Sequence, residues 1–409
     1  MITVAEAVRI ILEQTKPLPF ERVPLDAALG RVLAEDVIAD TDLPPFDRAQ
    51  MDGYAVRSED LREVPARLRV VGEAAAGAGW RGSLRAGEAV RIMTGAPLPA
   101  GADSVQQVEL TRETEDGTEE GATVEIERAT APGQFYVTRA SEIRAGELVL
   151  PAGEEINAAR MAALASFGYA EVAVRRRPRA SVLATGTELV PVGHRPGPDQ
   201  IRDSNTYSLA AYARLAGADV ACLPFAGDDP DLLQRTIADA AERADVLVLS
   251  GGVSMGRYDF TKSALRALGA EVFFERVSLR PGKPTVFARL PGEKQTLAFG
   301  LPGNPVSVSV TFNLFARTAL LAMQGASLPA PIEERAVLSR PAKGTLERAS
   351  YLPAALTTDE DGHLVAKPLK WGGSSDFVAF ANATALVIVP QGVKMIEAGS
   401  VVSIVRLPG

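Results

Sequence analysis

Strand and helix patterns alternate between residues 178 and 325, and this alternation constrains the fold more than any other feature of the chain. The apolar segments ASVLATG (180–186), ADVACLPF (218–225) and DVLVLSGG (245–252) are each followed by a stretch with helical periodicity. A further long helix is predicted from Pro305. Alternation at this spacing is typical of a mostly parallel sheet covered by helices on both faces. We therefore predict a central α/β domain over residues 175–326.

The rest of the chain is dominated by short β segments. Runs broken by Gly, Pro and charged clusters predict an inserted β module over 43–145 and a small, barrel-like β domain over 327–409. Residues 1 to about 40 show helical periodicity, with Val4, Ala7, Val8, Ile11 and Leu12 on one face. Residues 1–42 and 146–174 are predicted to form a discontinuous helical and linker domain. The expected fold class is multidomain α/β plus β.

Composition and charge exclude several classes of function. The formal net charge of −8 over 409 residues argues against a nucleic-acid-binding surface. One cysteine, Cys222, and two histidines exclude a disulfide framework and a His/Cys zinc site. The N-terminus is typical of an amphipathic helix rather than a signal peptide, and the most apolar helix candidate contains Arg317. We expect a cytoplasmic protein that binds neither nucleic acid nor membranes.

Polar and small residues follow the ends of the predicted strands. Ligands of open α/β sheets bind beyond the carboxyl ends of the strands, so these residues are expected to meet at one edge. Arg280 and Lys283 join them from the turn RPGKP. The other candidates at this edge are Thr185, Gly186, Glu188, Asp228, Ser250, Gly251, Gly252, Ser254, Asp259, Pro302, Gly303 and Asn304.

The chemistry of this set favours a phosphorylated ligand. Consecutive small residues let main-chain N–H groups point at an anion. Two bare carboxylates about 4 Å apart repel by roughly 4 kcal/mol at an effective dielectric near 20. A cation is therefore expected between Glu188, Asp228 and Asp259, and a site of oxygen ligands alone favours Mg²⁺. The residues predict a phosphorylated ligand held through Mg²⁺.

Several neighbouring polar residues also have simpler structural explanations. Asp52 and Thr94 are each consistent with ordinary turn chemistry. Asn304 is consistent with a helix cap and nothing more, and Asp229 with the N-cap of a helix that has Pro230 in its first position. Lys262, one turn into a predicted helix, is expected on a solvated face.

Seven motifs carry a family resemblance. In this order and spacing, DRAQMDGYAV, RIMTGAPLP, ATGTEL, IRDSN, LSGGVSMG followed by DF, RPGKP and LPGNPVS resemble the molybdopterin molybdenumtransferase family. The resemblance implies an enzyme of the last step in molybdenum cofactor synthesis. Such an enzyme inserts molybdate into adenylylated molybdopterin and releases AMP, with Mg²⁺ as the divalent ion. It also implies a homodimer with each active site between two subunits, and transient contact with the molybdopterin adenylyltransferase.

The resemblance also implies roles for matching positions. The nucleotide and phosphates would be held by Thr185, Gly186, Ser250, Gly251, Gly252 and Ser254. Mg²⁺ would bind Glu188, Asp228 and Asp259, and molybdate would bind Arg280, Lys283 and Ser307. Ser374 and Ser375 would close over the pterin, while Asp52, Thr94, Arg139 and Glu142 would come from the partner subunit. The chain departs from the family pattern at Ala140, Glu142, Thr187, Gly372 and Ala383.

Two alternative functions remain open. The molybdopterin adenylyltransferase shares the α/β domain and uses ATP, but it is normally one small domain whose glycine turn continues GGTG, where this chain has GGVS. A non-catalytic scaffold of the gephyrin kind is the second alternative. That role depends on extra domains and a long linker.

Overall fold

The computed structural model describes residues 1–114, 122–224, 229–253 and 260–408. The pattern of internal contacts divides the chain into two units. The first unit contains residues 1–35, 152–161 and 171–409, and the second contains 36–151 and 162–170. Each unit has hydrophobic clusters of its own.

Helices within the described ranges fall at α1 Val4–Gln14, α2 Ala158–Ser166, α3 Asn205–Leu215, α4 Pro230–Ala241, α5 Phe260–Ala267, α6 Pro305–Thr311, α7 Arg317–Met323 and α8 Phe377–Phe380. A π-helical segment over Phe312–Ala316 joins α6 and α7. The combined helix Pro305–Met323 is the one helix among the described residues long and apolar enough to cross a membrane by length and composition. Most of it is buried inside the protein, as in the core helix of a globular domain.

The strands of the first half of the chain are β1 Phe20–Pro24, β2 Val37–Ile38, β3 Arg48–Ala49, β4 Gly53–Val56, β5 Ala66–Ala74, β6 Glu88–Ile92, β7 Ser104–Gln107, β8 Thr111–Thr114, β9 Thr123–Ile126, β10 Tyr136–Val137, β11 Leu148–Leu150, β12 Glu171–Arg175, β13 Arg179–Ala184, β14 Leu189–Val190 and β15 Ile201–Arg202. Those of the second half are β16 Asp219–Cys222, β17 Val246–Ser250, β18 Glu271–Arg276, β19 Leu279–Arg280, β20 Pro284–Arg289, β21 Leu297–Leu301, β22 Glu333–Leu338, β23 Ala342–Lys343, β24 Ala349–Thr358, β25 Leu364–Pro368, β26 Ala385–Val389, β27 Met395–Ile396 and β28 Val401–Arg406.

The predicted α/β domain is present in the first unit. Its sheet has the strand order β16-β13-β17-β21-β20-β18, in which the first four strands are parallel and the last two antiparallel. Alternate residues of β17 face opposite sides of the sheet. Val246 and Val248 pack with α1, α3 and α6, whereas Leu247 and Leu249 pack with α4 and α5. Burial on both faces explains why β17 is a continuous apolar run.

The termini of two helices follow from their sequences. Thr3 and Glu6 form a reciprocal capping box at the start of α1. Asp229 caps α4 by accepting hydrogen bonds from the main-chain nitrogens of Asp231 and Leu232, which confirms its predicted role.

Two expectations for helices were wrong. Helical structure does not extend to residue 40: α1 ends at Gln14, and β1 then pairs antiparallel with β12. Pro17, Pro19 and Pro24 explain the difference, because a proline inside a helix removes a hydrogen bond and clashes with the preceding turn. Lys262 does not lie on a solvated face, since it is buried at 8% exposure on the same side of α5 as Leu265.

The C-terminal β domain is a closed barrel, as predicted. Its strands pair in the cycle β24-β25-β22-β28-β26, and β26 returns to β24. Leu352, Val387 and Ile404 contribute to its core. The short strand β19, which lies between β18 and β20 in the chain, pairs with β24 of the barrel rather than with the α/β sheet.

The second unit contains the predicted β-rich module. Its largest sheet has the order β7-β4-β6-β5-β9-β8 and is antiparallel except for the pairing of β5 with β6. Strand β4 is buried along its length, with Tyr54 fully buried. The close approach of β7 requires glycine at position 53, because a Cβ there would lie 1.9 Å from the carbonyl oxygen of Gln106.

Candidate functional site

A cleft of about 1360 Å³ lies at the carboxyl edge of the parallel strands. Its walls come from the loops after β13, β17 and β21, from the start of α3 and from the segment before α8. The predicted residues that line it are Thr185, Gly186, Glu188, Ser250, Gly251, Gly252, Pro302, Gly303, Asn304 and Ser375. The structure thus brings three of the predicted strand-end loops to one cavity.

The turn after β17 is held tightly against the end of β13. The main-chain nitrogen of Thr185 donates to the carbonyl oxygen of Ser250 at 2.8 Å. Gly251 has φ +94°, and a Cβ at this position would lie 2.5 Å from the carbonyl oxygen of Thr185. Gly303 approaches the same turn, because a Cβ on it would lie 3.7 Å from the Cα of Gly251. Main-chain atoms therefore form this wall of the cleft.

Glu188 presents an exposed carboxylate at the cleft. A Cβ on Gly186 would lie 2.5 Å from Oε2 of Glu188, so the carboxylate lies directly against the glycine. The carbonyl oxygen of Glu188 accepts a hydrogen bond from the main-chain nitrogen of Ile201 at 2.8 Å, which fixes the backbone of this loop.

Three predicted residues, Asp228, Ser254 and Asp259, lie outside the described ranges. Glu188 is therefore the one member of the proposed Mg²⁺ set whose position is known. Across residues 1–114, 122–224, 229–253 and 260–408, no three His, Cys, Asp or Glu side chains cluster as a metal site.

Asn205, the first residue of α3, also lines the cleft, and sequence reasoning did not assign it a role. Its Nδ2 donates to Oγ of Ser250 at 2.8 Å and to the carbonyl oxygen of Gly303 at 2.7 Å. Asn205 belongs to the motif IRDSN, and this motif was the sequence feature that could have indicated a role for it. The amide connects the loops after β17 and β21.

Asn304 occupies the N-cap position of α6, but its side chain makes no capping hydrogen bond. Its Nδ2 instead donates to Oγ of Ser374 at 2.8 Å. The main-chain nitrogen of Val306 donates to the carbonyl oxygen of Ser374 at 3.0 Å. The interpretation of Asn304 as only a cap was incomplete, because its side chain connects the start of α6 to the segment before α8.

The RPGKP turn packs against α6. Arg280 lies in β19, paired with Ser350 of the barrel. A Cβ on Gly282 would lie 2.4 Å from Cγ2 of Thr311, which is one helical turn beyond the buried Ser307. Pro284 lines the cleft, whereas Arg280, Lys283 and Ser307 are not among its lining residues.

Asp52 and Thr94 are joined by hydrogen bonds in the second unit. Oδ1 of Asp52 accepts hydrogen bonds from the main-chain nitrogen and from Oγ1 of Thr94, each at 2.7 Å. These two bonds, the main-chain one first, hold the pKa of the Asp52 carboxyl below its ordinary value. Asp52 is therefore a carboxylate at neutral pH.

Arg139 and Glu142 also have partners within the second unit. Nε of Arg139 donates to Oδ2 of Asp42 at 2.6 Å, and its main-chain nitrogen donates to Oδ1 of Asp47 at 2.7 Å. Glu142 forms an ion pair with Arg48 at 3.4 Å. Ala140, where the family commonly has glycine, has φ +59° in the left-handed region, which explains a preference for glycine there.

In comparisons with known proteins, three family models together match nearly the whole chain. A family model described as the MoeA N-terminal region (domain I and II) matches residues 2–168. One described as a probable molybdopterin binding domain matches 181–322, and one described as the MoeA C-terminal region (domain IV) matches 335–407.

Individual relatives match at full length. The chain is 36% identical over 395 residues to a molybdopterin molybdenumtransferase of Nostoc sp., covering 95% of this chain and 89% of the relative. It is 36% identical over 412 residues to the Bacillus subtilis protein of the same name, covering 99% and 94%. A crystal structure of a molybdopterin biosynthesis MoeA protein from Pyrococcus horikoshii has a TM-score of 0.80 at 31% identity, with both chains fully covered. The chain belongs to the molybdopterin molybdenumtransferase family.

Proposed function

We propose that this protein inserts molybdate into adenylylated molybdopterin and releases AMP, in the last step of molybdenum cofactor synthesis. The observation that carries the proposal is the cleft at the carboxyl edge of the parallel strands, where main-chain atoms of the Ser250–Gly252 turn and the Pro302–Asn304 loop form the wall. Ligands of open α/β sheets bind at such edges. The relatives' shared name supports the choice of substrate.

The size of the cleft is consistent with an extended ligand. Its volume of about 1360 Å³ exceeds the roughly 300–1,000 Å³ of ordinary small-molecule sites. A nucleotide joined to a pterin through two phosphates is a ligand of this kind. In this proposal Thr185, Gly186 and the Ser250–Gly252 turn bind the phosphate region, while Ser375 contacts the pterin side.

The protein's contribution to the reaction is positioning and charge stabilisation. Main-chain N–H groups at the glycine turn would stabilise negative charge on phosphate oxygens as water attacks the phosphoanhydride, which leaves one phosphate on molybdopterin and releases AMP with the other. Arg280, Lys283 and Ser307 are proposed to bind molybdate, since fixed cationic donors suit an oxyanion. Mg²⁺, held by Glu188 together with Asp228 and Asp259, would neutralise phosphate charge when bound.

The assembly follows the family pattern in this proposal. The protein acts as a cytoplasmic homodimer, with Asp52, Thr94, Arg139 and Glu142 supplied to each site by the other subunit. Transient contact with the molybdopterin adenylyltransferase would deliver the adenylylated substrate.

The decisive experiment measures AMP. Purified protein is mixed with adenylylated molybdopterin, Mg²⁺ and increasing molybdate, and AMP release should rise with molybdate and saturate. Asp259→Ala and Asp228→Ala should abolish this release while leaving the circular dichroism spectrum unchanged. Consumption of Mg-ATP and molybdopterin, with no molybdate-dependent AMP, would instead identify an adenylyltransferase. Normal turnover by Asp259→Ala would refute the Mg²⁺ assignment.

A further inference from the structure

The side-chain amide of Asn205 lies between the two loops that form the main-chain wall of the cleft. We propose that Asn205 is a positioning residue that holds the Ser250–Gly252 turn and the Pro302–Asn304 loop at a fixed separation. Both loops then present their main chains to one anionic ligand. The inference rests on the proposed function only for the identity of that ligand.

The orientation of the amide is determined by its partners. A main-chain carbonyl can only accept hydrogen bonds, so the group that faces Gly303 at 2.7 Å must be Nδ2. The second hydrogen of Nδ2 is directed to Oγ of Ser250 at 2.8 Å. That hydroxyl can in turn donate to the carbonyl oxygen of Pro302, 3.4 Å away. Both donors of Asn205 are thus used to join two loops that lie far apart in the sequence.

The acceptor of the same amide is left unused. Oδ1 of Asn205 is buried and has no hydrogen-bond partner among the described residues. A buried acceptor without a partner is destabilising. Both donors of the amide therefore bond to the two loops, whereas its acceptor bonds to none of the described residues.

The two loops also touch directly at one point. The Cα of Gly251 would be 3.7 Å from a Cβ on Gly303, so the chains are in contact at this point. Both residues lack side chains that could interlock. Asn205 supplies the side-chain link that this glycine contact cannot supply.

The first test measures the loops themselves and requires no substrate. Amide hydrogen exchange is followed in peptides covering 247–253 and 300–306. Asn205→Ala should accelerate exchange in both by about tenfold, since the opening free energy of a segment sets its exchange rate. Ser208→Ala is the matched control, because Ser208 lies on α3 and loses only its hydrogen bond to the carbonyl oxygen of Asn205. It should leave both peptides unchanged.

The second test measures ligand affinity with AMP as the probe. Asn205→Ala should weaken AMP binding by about tenfold, as expected for loss of hydrogen bonds that order a binding wall. Asn205→Asp keeps the volume but places a second acceptor against the Gly303 carbonyl, so it should weaken binding at least as much. In turnover, both variants should lower kcat as well as raise KM, because misplaced phosphate contacts affect the transition state.

The outcomes separate this inference from the proposed function. Faster exchange in both peptides together with weaker AMP binding supports the positioning role. Unchanged exchange or unchanged AMP affinity in Asn205→Ala and Asn205→Asp overturns it, even if the native protein releases AMP normally. A native protein that neither binds AMP nor releases it refutes the proposed function, while the exchange experiment still decides the role of Asn205.

Discussion

Asn304 donates a hydrogen bond to Oγ of Ser374 at 2.8 Å, although it occupies the N-cap position of α6. The bond joins the loop after the last parallel strand to the segment that precedes α8. Ser375 of that segment and Phe377, the first residue of α8, line the cleft. The cleft wall therefore depends on a contact between two residues 70 positions apart.

Removing either partner of this bond should loosen the segment around Ser374. Asn304→Ala and Ser374→Ala should each reduce molybdate-dependent AMP release, and the double variant should lose less than the sum. The expected coupling energy is about 0.5–1.5 kcal/mol, as for a neutral hydrogen bond. Asn382→Ala removes an exposed amide just after α8 and serves as the control, with activity retained. Fully additive losses would show that the two side chains do not act together.

Gly251→Ala should disrupt the turn after β17. The left-handed conformation costs an alanine about 1–2 kcal/mol, and its Cβ would also clash with the Thr185 carbonyl oxygen 2.5 Å away. Gly362→Ala is the matched control, because Gly362 has φ +84° with open space around it. Both variants should lower the thermal midpoint, but AMP release should fall on the order of 100-fold only for Gly251→Ala. Equal activity losses would argue against a special role for the turn.

Glu188→Gln should weaken the response to Mg²⁺. The change preserves the shape of the side chain but removes the negative charge beside Gly186. The Mg²⁺ concentration for half-maximal AMP release should rise by at least about tenfold. Glu293→Gln makes the same chemical change before the start of β21, at the other edge of the sheet, and should not alter the Mg²⁺ titration. An unchanged titration for Glu188→Gln would remove Glu188 from the proposed metal set.

Acid should weaken the contact between Asp52 and Thr94. The folded-state pKa of Asp52 lies below its ordinary value of 3.8. Its stabilising contribution is therefore complete above about pH 4 and is lost as the pH falls through the folded-state pKa. The thermal midpoint of Asp52→Asn should lie below that of the native protein at about pH 7, and the two should converge as the pH falls below the ordinary value of 3.8.

Thr94 variants identify the donors behind this effect. Thr94→Val retains the main-chain hydrogen bond and should show an intermediate acid response, whereas Thr94→Ser retains both donors and should resemble the native protein. A constant offset between Asp52→Asn and the native protein across the whole pH range would contradict the assignment.

The sequence was most informative where strands are buried on both faces. The run VLVLS in β17 is fully buried, so its apolar character and the glycines after it were sufficient to locate the strand end. The start of α4 was equally clear, because Asp229 and Pro230 have local preferences that require no tertiary contact. Local signals of this kind predicted four loops at one edge of the sheet, and three of them line the cleft in the described residues.

Other features depend on partners distant in sequence. Asn205 bonds to residues 45 and 98 positions away, and nothing in its neighbours indicates which main-chain carbonyl it meets. Lys262 was expected to be exposed because its side chain is charged, but it lies on the same side of α5 as Leu265 and is buried by the packing of that helix. The helix expected to continue to residue 40 ends at Gln14 because three prolines follow it within ten residues.

The pairing of β19 with β24 fixes the RPGKP turn to the barrel at Arg280 and Ser350. A main-chain hydrogen bond from Val277 to Lys283 closes the segment that contains the turn, and β20 of the α/β sheet begins at the next residue, Pro284. Rotation of the barrel would therefore move the turn. The segment that contains Arg280 and Lys283 is therefore paired with the barrel at one end and continues into the α/β sheet at the other, so a change in the position of the barrel relative to that sheet would displace the proposed molybdate-binding turn.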